Sequence, residues 1–329
     1  MRNSVLYRLC VVIINYNTAE LTINCLESLI PQLSNIHSKV IVVDNASTDS
    51  SRHEITQWIN DNAHTDIVNL VESPTNQGFS GGNNLGVKHC KASYYLLLNS
   101  DTIVRDSAIT KLLKMGDSGA DIGLVSPRLE SPDGKPQKSC FRCFTPISEL
   151  IDAARTGPIT RLFQRYDVPL PVLDIPSYPE WTSFACVLIK ADVFQDIGLL
   201  DDGYFMYFED ASFCCLARKR GWSIVNEPAA RVIHLRGGSS PVKRRAAARE
   251  RLPRYYYESR SRYYYIQSGH AGLTAANLLW LIGRSISKAR EWVGRYDRHV
   301  CRSQWRDIWI NWLDPMRPYT IKDEGENAK

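Results

Sequence analysis

The first 126 residues keep switching hydrophobic period, and this constrains the fold more than any other feature of the chain. Leu9–Tyr16 is a continuous apolar run, as in a strand buried on both faces. Leu21, Cys25, Leu26 and Leu29 then recur at helical spacing up to Pro31. Val40–Val43 reads as a second strand and residues 51–62 as a second helix, with Ile55, Trp58 and Ile59 on one face. Ile67–Val71 is a third strand, followed by a turn rich in glycine and asparagine and a helix through Val87 and Cys90. Tyr94–Leu98 is a fourth strand, with a helix near 106–115 and another strand near 122–126. Such alternation predicts an α/β domain with a mostly parallel sheet and flanking helices.

Each of these strands ends in a polar cluster. Asn15-Tyr-Asn17 follows the first, Asp44-Asn-Ala-Ser47 the second, Asn76-Gln-Gly78 the third and Asn99-Ser-Asp101 the fourth. Open α/β sheets bind ligands in the crevice beyond the carboxyl ends of their strands, so the four clusters converge on one site.

Every cluster also has an ordinary structural explanation. Ser47, Thr48 or Asp49 suits a helix cap, but Asp44 precedes the cap, where its carboxylate can accept the imide N–H of a pyrimidine. The stretch TNQGFSGGNNLG (75–86) lacks the GxGxxG spacing of a dinucleotide fingerprint, and a plain turn competes with a phosphate-approaching loop. Asp101 offers a hard oxygen ligand with Asn99 two residues before it, although NSD also suits a turn. In LLDDGYFMYFED (199–210), Glu209 and Asp210 open a helical run, where acids are favoured by the helix dipole. The neighbouring aromatics equally suit a pocket that tunes a carboxylate as a base. His234, in VIHLRGGSS, is by itself more typical of a structural histidine than of a ligand.

Charge divides the chain. Residues 236–306 carry 16 Lys+Arg against 4 Asp+Glu, while residues 1–235 carry 21 against 26. The basic segment includes KRRAAARERLPRYYYESRSRYYY (243–265), a mixture that suits nucleic acid or a membrane interface. The uncharged stretch Ala271 to Gly283 is too short to span a bilayer, leaving an interfacial amphipathic helix or a helix packed against the catalytic domain. The run beginning at Leu9 is likewise too short for a signal peptide or membrane span. Nine cysteines without framework spacing suggest a reducing compartment, and Cys140 and Cys143 form a lone CxxC better read as two thiols than as zinc ligands. The expected location is cytoplasmic, peripheral on the inner face of the cell membrane.

Taken in order, NYN, DNAS, NQGF–GGNN, NSD, Trp181 to Ala185, YFMYFED, RKRGW and H–GGS resemble inverting glycosyltransferase family 2, in its bacterial rhamnosyltransferase-like branch. The resemblance covers roughly the first 240 residues. It implies a GT-A fold, Rossmann-like, in residues 1–240, with a nucleotide-sugar part to about 128 and an acceptor part from about 129. A basic, aromatic-rich helical region, 241–329, would follow. It implies a dTDP- or UDP-sugar donor, with dTDP-rhamnose favoured, and a lipid-diphosphate-linked glycan acceptor. Asp44 would read the pyrimidine, and Asn15, Asn17 and Asn76 would line the nucleotide pocket. Gly78, Asn83, Asn99 and Ser100 complete the donor side. NSD stands where the family carries DxD, so Asp101, with His234, would hold Mg²⁺ or Mn²⁺. Asp210 would be the general base beside Glu209, with Trp181 and Phe184 on the acceptor side. Asn99 in place of the first acid of DxD, Phe184 where many relatives have glycine, and Ser212 at a position usually acidic are departures, and they bear on the acceptor.

Two other classes compete with the enzyme. A catalytically inactive nucleotide-sugar-binding or scaffold protein has no need of Asp44, Asp101, Asp210 and His234 together. A nucleic-acid-binding protein would use the basic segment but leave the acidic strand-end set without purpose, so no nucleic-acid partner is expected.

Overall fold

A computed structural model describes residues 6–235, 241–294 and 298–319. The chain forms two compact units. The first comprises Met1–Phe141, Pro171–Asp201 and Phe213–Ser239, and the second Arg142–Leu170, Asp202–Ser212 and Ser240–Lys329. β1 (Tyr7–Asn15), α1 (Ala19–Leu29), β2 (Ser38–Asp44), α2 (Ser51–Asp61), β3 (Val68–Glu72), α3 (Gly78–Lys88) and β4 (Ala92–Asn99) alternate as the periodicity predicts. They are followed by β5 (Thr102–Val104), α4 (Ala108–Asp117), β6 (Ile122–Glu130) and the short β7 (Cys140–Phe141). After α5 (Pro146–Ala154) and α6 (Gly157–Leu162) of the second unit come β8 (Trp181–Thr182), β9 (Cys186–Lys190) and α7 (Ala191–Ile197). Next are α8 (Glu209–Lys219), which begins in the second unit, and β10 (Ser223–His234). α9 (Val242–Ala247), α10 (Arg254–Trp292) and α11 (Gln304–Asp307) complete the second unit.

The first unit is built on an eight-stranded sheet in the order β3-β2-β1-β4-β9-β6-β10-β5. β1 to β4 are mutually parallel, β9 runs antiparallel between β4 and β6, and β10 lies parallel to β6. β10 therefore points the same way as β1 to β4, and its last residue, His234, reaches the same sheet edge as Asn15, Asp44 and Asn99. The sequence had indicated neither β9 nor β10.

β1 is apolar on both faces because both are covered. Leu9, Val11 and Ile13 join Cys25, Leu26 and Leu29 of α1, Ile55 and Ile59 of α2, and Leu112 of α4 in one buried cluster. Val12 and Ile14 face α3. There a Cβ on Gly86 would lie 2.4 Å from Val12 Cγ1, so glycine is what lets this helix approach the sheet.

In the second unit, α5 starts at a capping box in which Thr145 and Ser148 exchange hydrogen bonds, with Pro146 at its first position. α10 is interrupted at Ser268 and Gly269 (φ 64°). The part of the arginine–tyrosine run that lies in its first half is interior and so forms no surface for nucleic acid or lipid, whereas Lys243, Arg244 and Arg249 ahead of it are exposed. Tyr255, Tyr257, Arg260, Arg262, Tyr263 and Tyr264 are all buried. Arg260 pairs with Glu149 at 2.9 Å and donates to Asn277 Oδ1 at 2.7 Å, while the Tyr264 hydroxyl donates to Glu149 at 2.8 Å.

Candidate functional site

The carboxyl edge of the sheet carries a connected polar network. Asn15 is fully buried, and all four of its side-chain hydrogen-bonding positions are used. Nδ2 donates to Asp44 Oδ1 at 2.9 Å and to Ser47 Oγ at 3.0 Å, while Oδ1 accepts from the hydroxyls of Thr18 and Thr22. Asp44 Oδ2 accepts the Ser47 backbone N–H at 3.1 Å. Asn15 thus lies beneath the site and aims Asp44. Asn17 is exposed and left-handed (φ 55°), and its Oδ1 accepts the Thr48 backbone N–H. Ala46 is also left-handed (φ 63°), so the loops after β1 and β2 both hold strained backbone, as binding loops often do.

Asn45, which sequence reasoning passed over, latches the third cluster to the second. Its Nδ2 donates to Asn76 Oδ1 and to the Gly78 carbonyl, each at 3.0 Å, and its Oδ1 accepts the Gln77 N–H. Asn76 also accepts the N–H of Gly78, whose φ of 66° suits glycine at this turn. Two other asparagines have structural tasks. Asn83 donates to the Phe79 carbonyl within α3, and Asn84 clasps both backbone groups of Leu200. The signal that could have flagged Asn45 is its position directly after a strand-end acid.

At the fourth strand end, Asn99 accepts the Thr102 hydroxyl at its carbonyl, and the Ser100 hydroxyl lies 3.5 Å from that of Thr18. Asp101 is almost buried, with Oδ1 3.4 Å from His234 Nε2. The Leu235 N–H donates to the Asp101 carbonyl, and Gln137 Nε2 holds the His234 carbonyl at 2.9 Å. His234 Nδ1 is buried without a hydrogen-bond partner. Neighbouring ligand atoms on an octahedral ion with bonds of about 2.1 Å stand roughly 3.0 Å apart. At 3.4 Å, Asp101 Oδ1 and His234 Nε2 are two donors close enough to share one divalent cation. Among the described residues, no three His, Cys, Asp or Glu side chains gather into a metal cluster. Cys140 is a free thiol but Cys143 is disulfide-bonded, so the CxxC is not the pair of thiols expected. The Gly-Gly-Ser that follows His234 lies outside the described residues.

Trp181 stacks on Phe141 at 4.2 Å between ring centroids, and Phe184 is a buried ring set edge-on to Phe213 at 5.9 Å. Glu209 and Asp210 open α8 in the second unit. They follow two consecutive left-handed residues, Tyr207 (φ 72°) and Phe208 (φ 67°), a costly conformation for aromatic side chains. Glu209 is buried with Oε2 unbonded, and burial, with the adjacent Asp210 carboxylate, holds its carboxyl well above the usual range. Asp210 is half-buried and accepts the Ala211 N–H at Oδ1. The pair thus divides into a dry acid that holds its proton more tightly and a wetter neighbour.

Residues 10–158 match the family described as Glycosyl transferase family 2. This stretch, just under half of the chain, is a glycosyltransferase family 2 domain. The family 2 match takes in the strand-end clusters from Asn15 to Asp101 and stops before Trp181, Phe184, Glu209, Asp210 and His234. The chain is 28% identical over 228 residues to the low-salt glycan biosynthesis hexosyltransferase Agl10 of Haloferax volcanii, covering 68% of this chain and 66% of that protein. It is 24% identical over 267 residues to the N-acetylglucosaminyl-diphospho-decaprenol L-rhamnosyltransferase of Mycobacterium tuberculosis, covering 75% and 80%. The mannosyltransferase PcManGT from Pyrobaculum calidifontis, solved with GDP-Man and Mn²⁺, superposes with a TM-score of 0.52 at 13% identity, covering 98% of this chain and 89% of that one. The structural likeness establishes the GT-A fold.

Proposed function

We propose that this chain is an inverting glycosyltransferase of polysaccharide synthesis. In this reading it carries L-rhamnose from dTDP-rhamnose to a glycan acceptor on a lipid diphosphate at the cytoplasmic face of a bacterial membrane. The observation that carries the proposal is the Asp101–His234 pair at 3.4 Å, on the same sheet edge as the Asn15–Asp44 network. A pairing of hard donors beside a pyrimidine-reading carboxylate suits a nucleoside diphosphate. The rhamnose donor and lipid-linked acceptor are supported by the name of the mycobacterial relative.

Asp44 accepts the imide N–H of the base, held in register by Asn15 and Ser47. Asn17, Asn76 and Gly78 border the nucleotide, and Asn83, Asn99 and Ser100 complete the donor side. Asp101 and His234 would hold Mg²⁺ or Mn²⁺, which would supply positive charge against the departing diphosphate. Asp210 takes the proton of the acceptor hydroxyl as its oxygen bonds to the anomeric carbon. The bond from that carbon to the diphosphate oxygen breaks on the opposite face, so the centre inverts. Glu209, which holds its proton more tightly, leaves the role of base to Asp210, and Trp181 and Phe184 stand toward the acceptor side.

The test is a panel of dTDP- and UDP-sugars incubated with and without Mg²⁺ or Mn²⁺ and a lipid-diphosphate disaccharide acceptor. Metal-dependent release of dTDP with a new rhamnosyl product supports the assignment. Stable binding of nucleotide sugar with no turnover on any acceptor would leave a binding or scaffold protein.

A further inference from the structure

Beyond the break at Ser268 and Gly269, α10 has two unlike sides. The inner side consists of Leu273, Ala276, Asn277, Trp280, Gly283 and Ser287, all buried. It packs on α5 so closely that a Cβ on Gly283 would lie 2.7 Å from the Leu150 carbonyl oxygen. At about 100° per residue, Leu278, Ile282, Ser285, Ala289 and Trp292 fall on one outward arc, and none is charged. Leu278 is 49% exposed, Ile282 52% and Trp292 82%. Lys288 borders the arc, its Nζ 5.7 Å from the Trp292 ring centroid, whereas Arg284 is engaged by Glu291 and Arg290 by the carbonyls of Ala154 and Arg155.

The surface of the same unit is cationic. Arg244, Arg249, Lys288, Arg298, Arg302 and Arg306 are exposed, and Glu250 is the one exposed acid among the described residues of 241–306. Such a charge disfavours a second copy as the partner, because like would meet like. An apolar arc ending in tryptophan on a cationic body is the composition of helices that lie in the plane of an anionic bilayer.

We propose that the outward face of α10, centred on Leu278, Ile282 and Trp292, docks this chain on an anionic lipid surface. The aliphatic side chains enter the acyl boundary, Trp292 sits at headgroup level, and the exposed lysine and arginine side chains meet lipid phosphates. The surface does not depend on the transferase reading, since it is tested by binding alone.

Flotation of the full chain with vesicles of phosphatidylcholine containing about a third phosphatidylglycerol decides it, at low and at high salt. The wild-type chain floats with these vesicles at low salt and not with pure phosphatidylcholine. The variant carrying Leu278→Asp and Ile282→Asp loses the bound fraction by roughly tenfold or more. Its thermal unfolding stays as in wild type. Equal flotation of wild type and variant overturns the proposal, as does failure of the wild type to float at low salt. A dimer by light scattering that these substitutions dissociate, with vesicle binding unchanged, assigns the face to a second copy instead. Trp292→Ala gives a milder loss and serves if the double variant folds poorly.

Discussion

Asn15 and Asp44, at the ends of two adjacent parallel strands, share a 2.9 Å hydrogen bond with almost no exposure to solvent. The amide has no capacity left for a ligand, so its task is to fix the carboxylate. Asn15→Ala leaves Asp44 Oδ1 and the Thr22 hydroxyl short of a partner, which costs about 1–3 kcal/mol in a buried setting. Urea denaturation should register that loss, and affinity for dTDP or UDP should fall with it. Unchanged nucleotide affinity would make Asn15 structural only.

Asp101→Ala should remove the metal dependence of nucleoside diphosphate binding. Calorimetric titration of UDP with and without Mn²⁺ gives the comparison. The wild-type chain binds more tightly with metal, and the variant binds equally in both conditions. Metal-enhanced affinity in Asp101→Ala would reject the assignment of this carboxylate.

Asp210→Asn keeps the shape of the side chain but cannot accept a proton, so turnover should fall by roughly 10²–10⁴-fold. Donor affinity should hold, because the base serves the acceptor. A collapse in Glu209→Gln with near-normal turnover in Asp210→Asn would transfer the role to Glu209.

Glu209 also links stability to pH. Its folded-state carboxyl holds a proton above the range in which the unfolded chain releases it. The folded state then binds more protons, and stability falls as pH rises through that gap. Glu209→Gln removes the loss. Melting temperatures of the two proteins should therefore diverge in favour of the variant as pH rises above the ordinary carboxylate range, and parallel curves would show that Glu209 does not carry the effect.

Arg260 and Glu149 form a buried ion pair in the second unit. Arg260→Met strands the carboxylate and should cost about 3–5 kcal/mol. Adding Glu149→Gln should restore much of it, since the Tyr264 hydroxyl can still donate to the amide oxygen. A double variant as unstable as the single one would place the cost in packing.

The strand-end clusters were legible because covalent geometry puts consecutive parallel strand ends on one edge, and Asn15, Asp44, Asn99 and Asp101 followed from that alone. His234 was a weaker inference, since its place at the same edge depends on β9 reversing direction between β4 and β6. Asn45 was passed over for a different reason. An asparagine that binds a ligand and one that ties down a turn have the same letter, and only the hydrogen-bond partners separate them. The part of the arginine–tyrosine run within α10 was misjudged as surface because composition cannot reveal that Glu149, about a hundred residues earlier, neutralises Arg260 in the interior.

The seat of β9 between β4 and β6 also sets an order of assembly. β1 to β4 can pair as soon as they are made, each beside a neighbour already present. β6 ends at Glu130, yet its partners β9 and β10 begin only at Cys186 and Ser223. At a synthesis rate of about 5–20 residues per second, β6 waits several seconds with both edges bare. During that interval the nascent chain is half a sheet, with an unpaired strand of apolar residues trailing from it, and chaperone engagement would be expected there rather than at the amino-terminal strands.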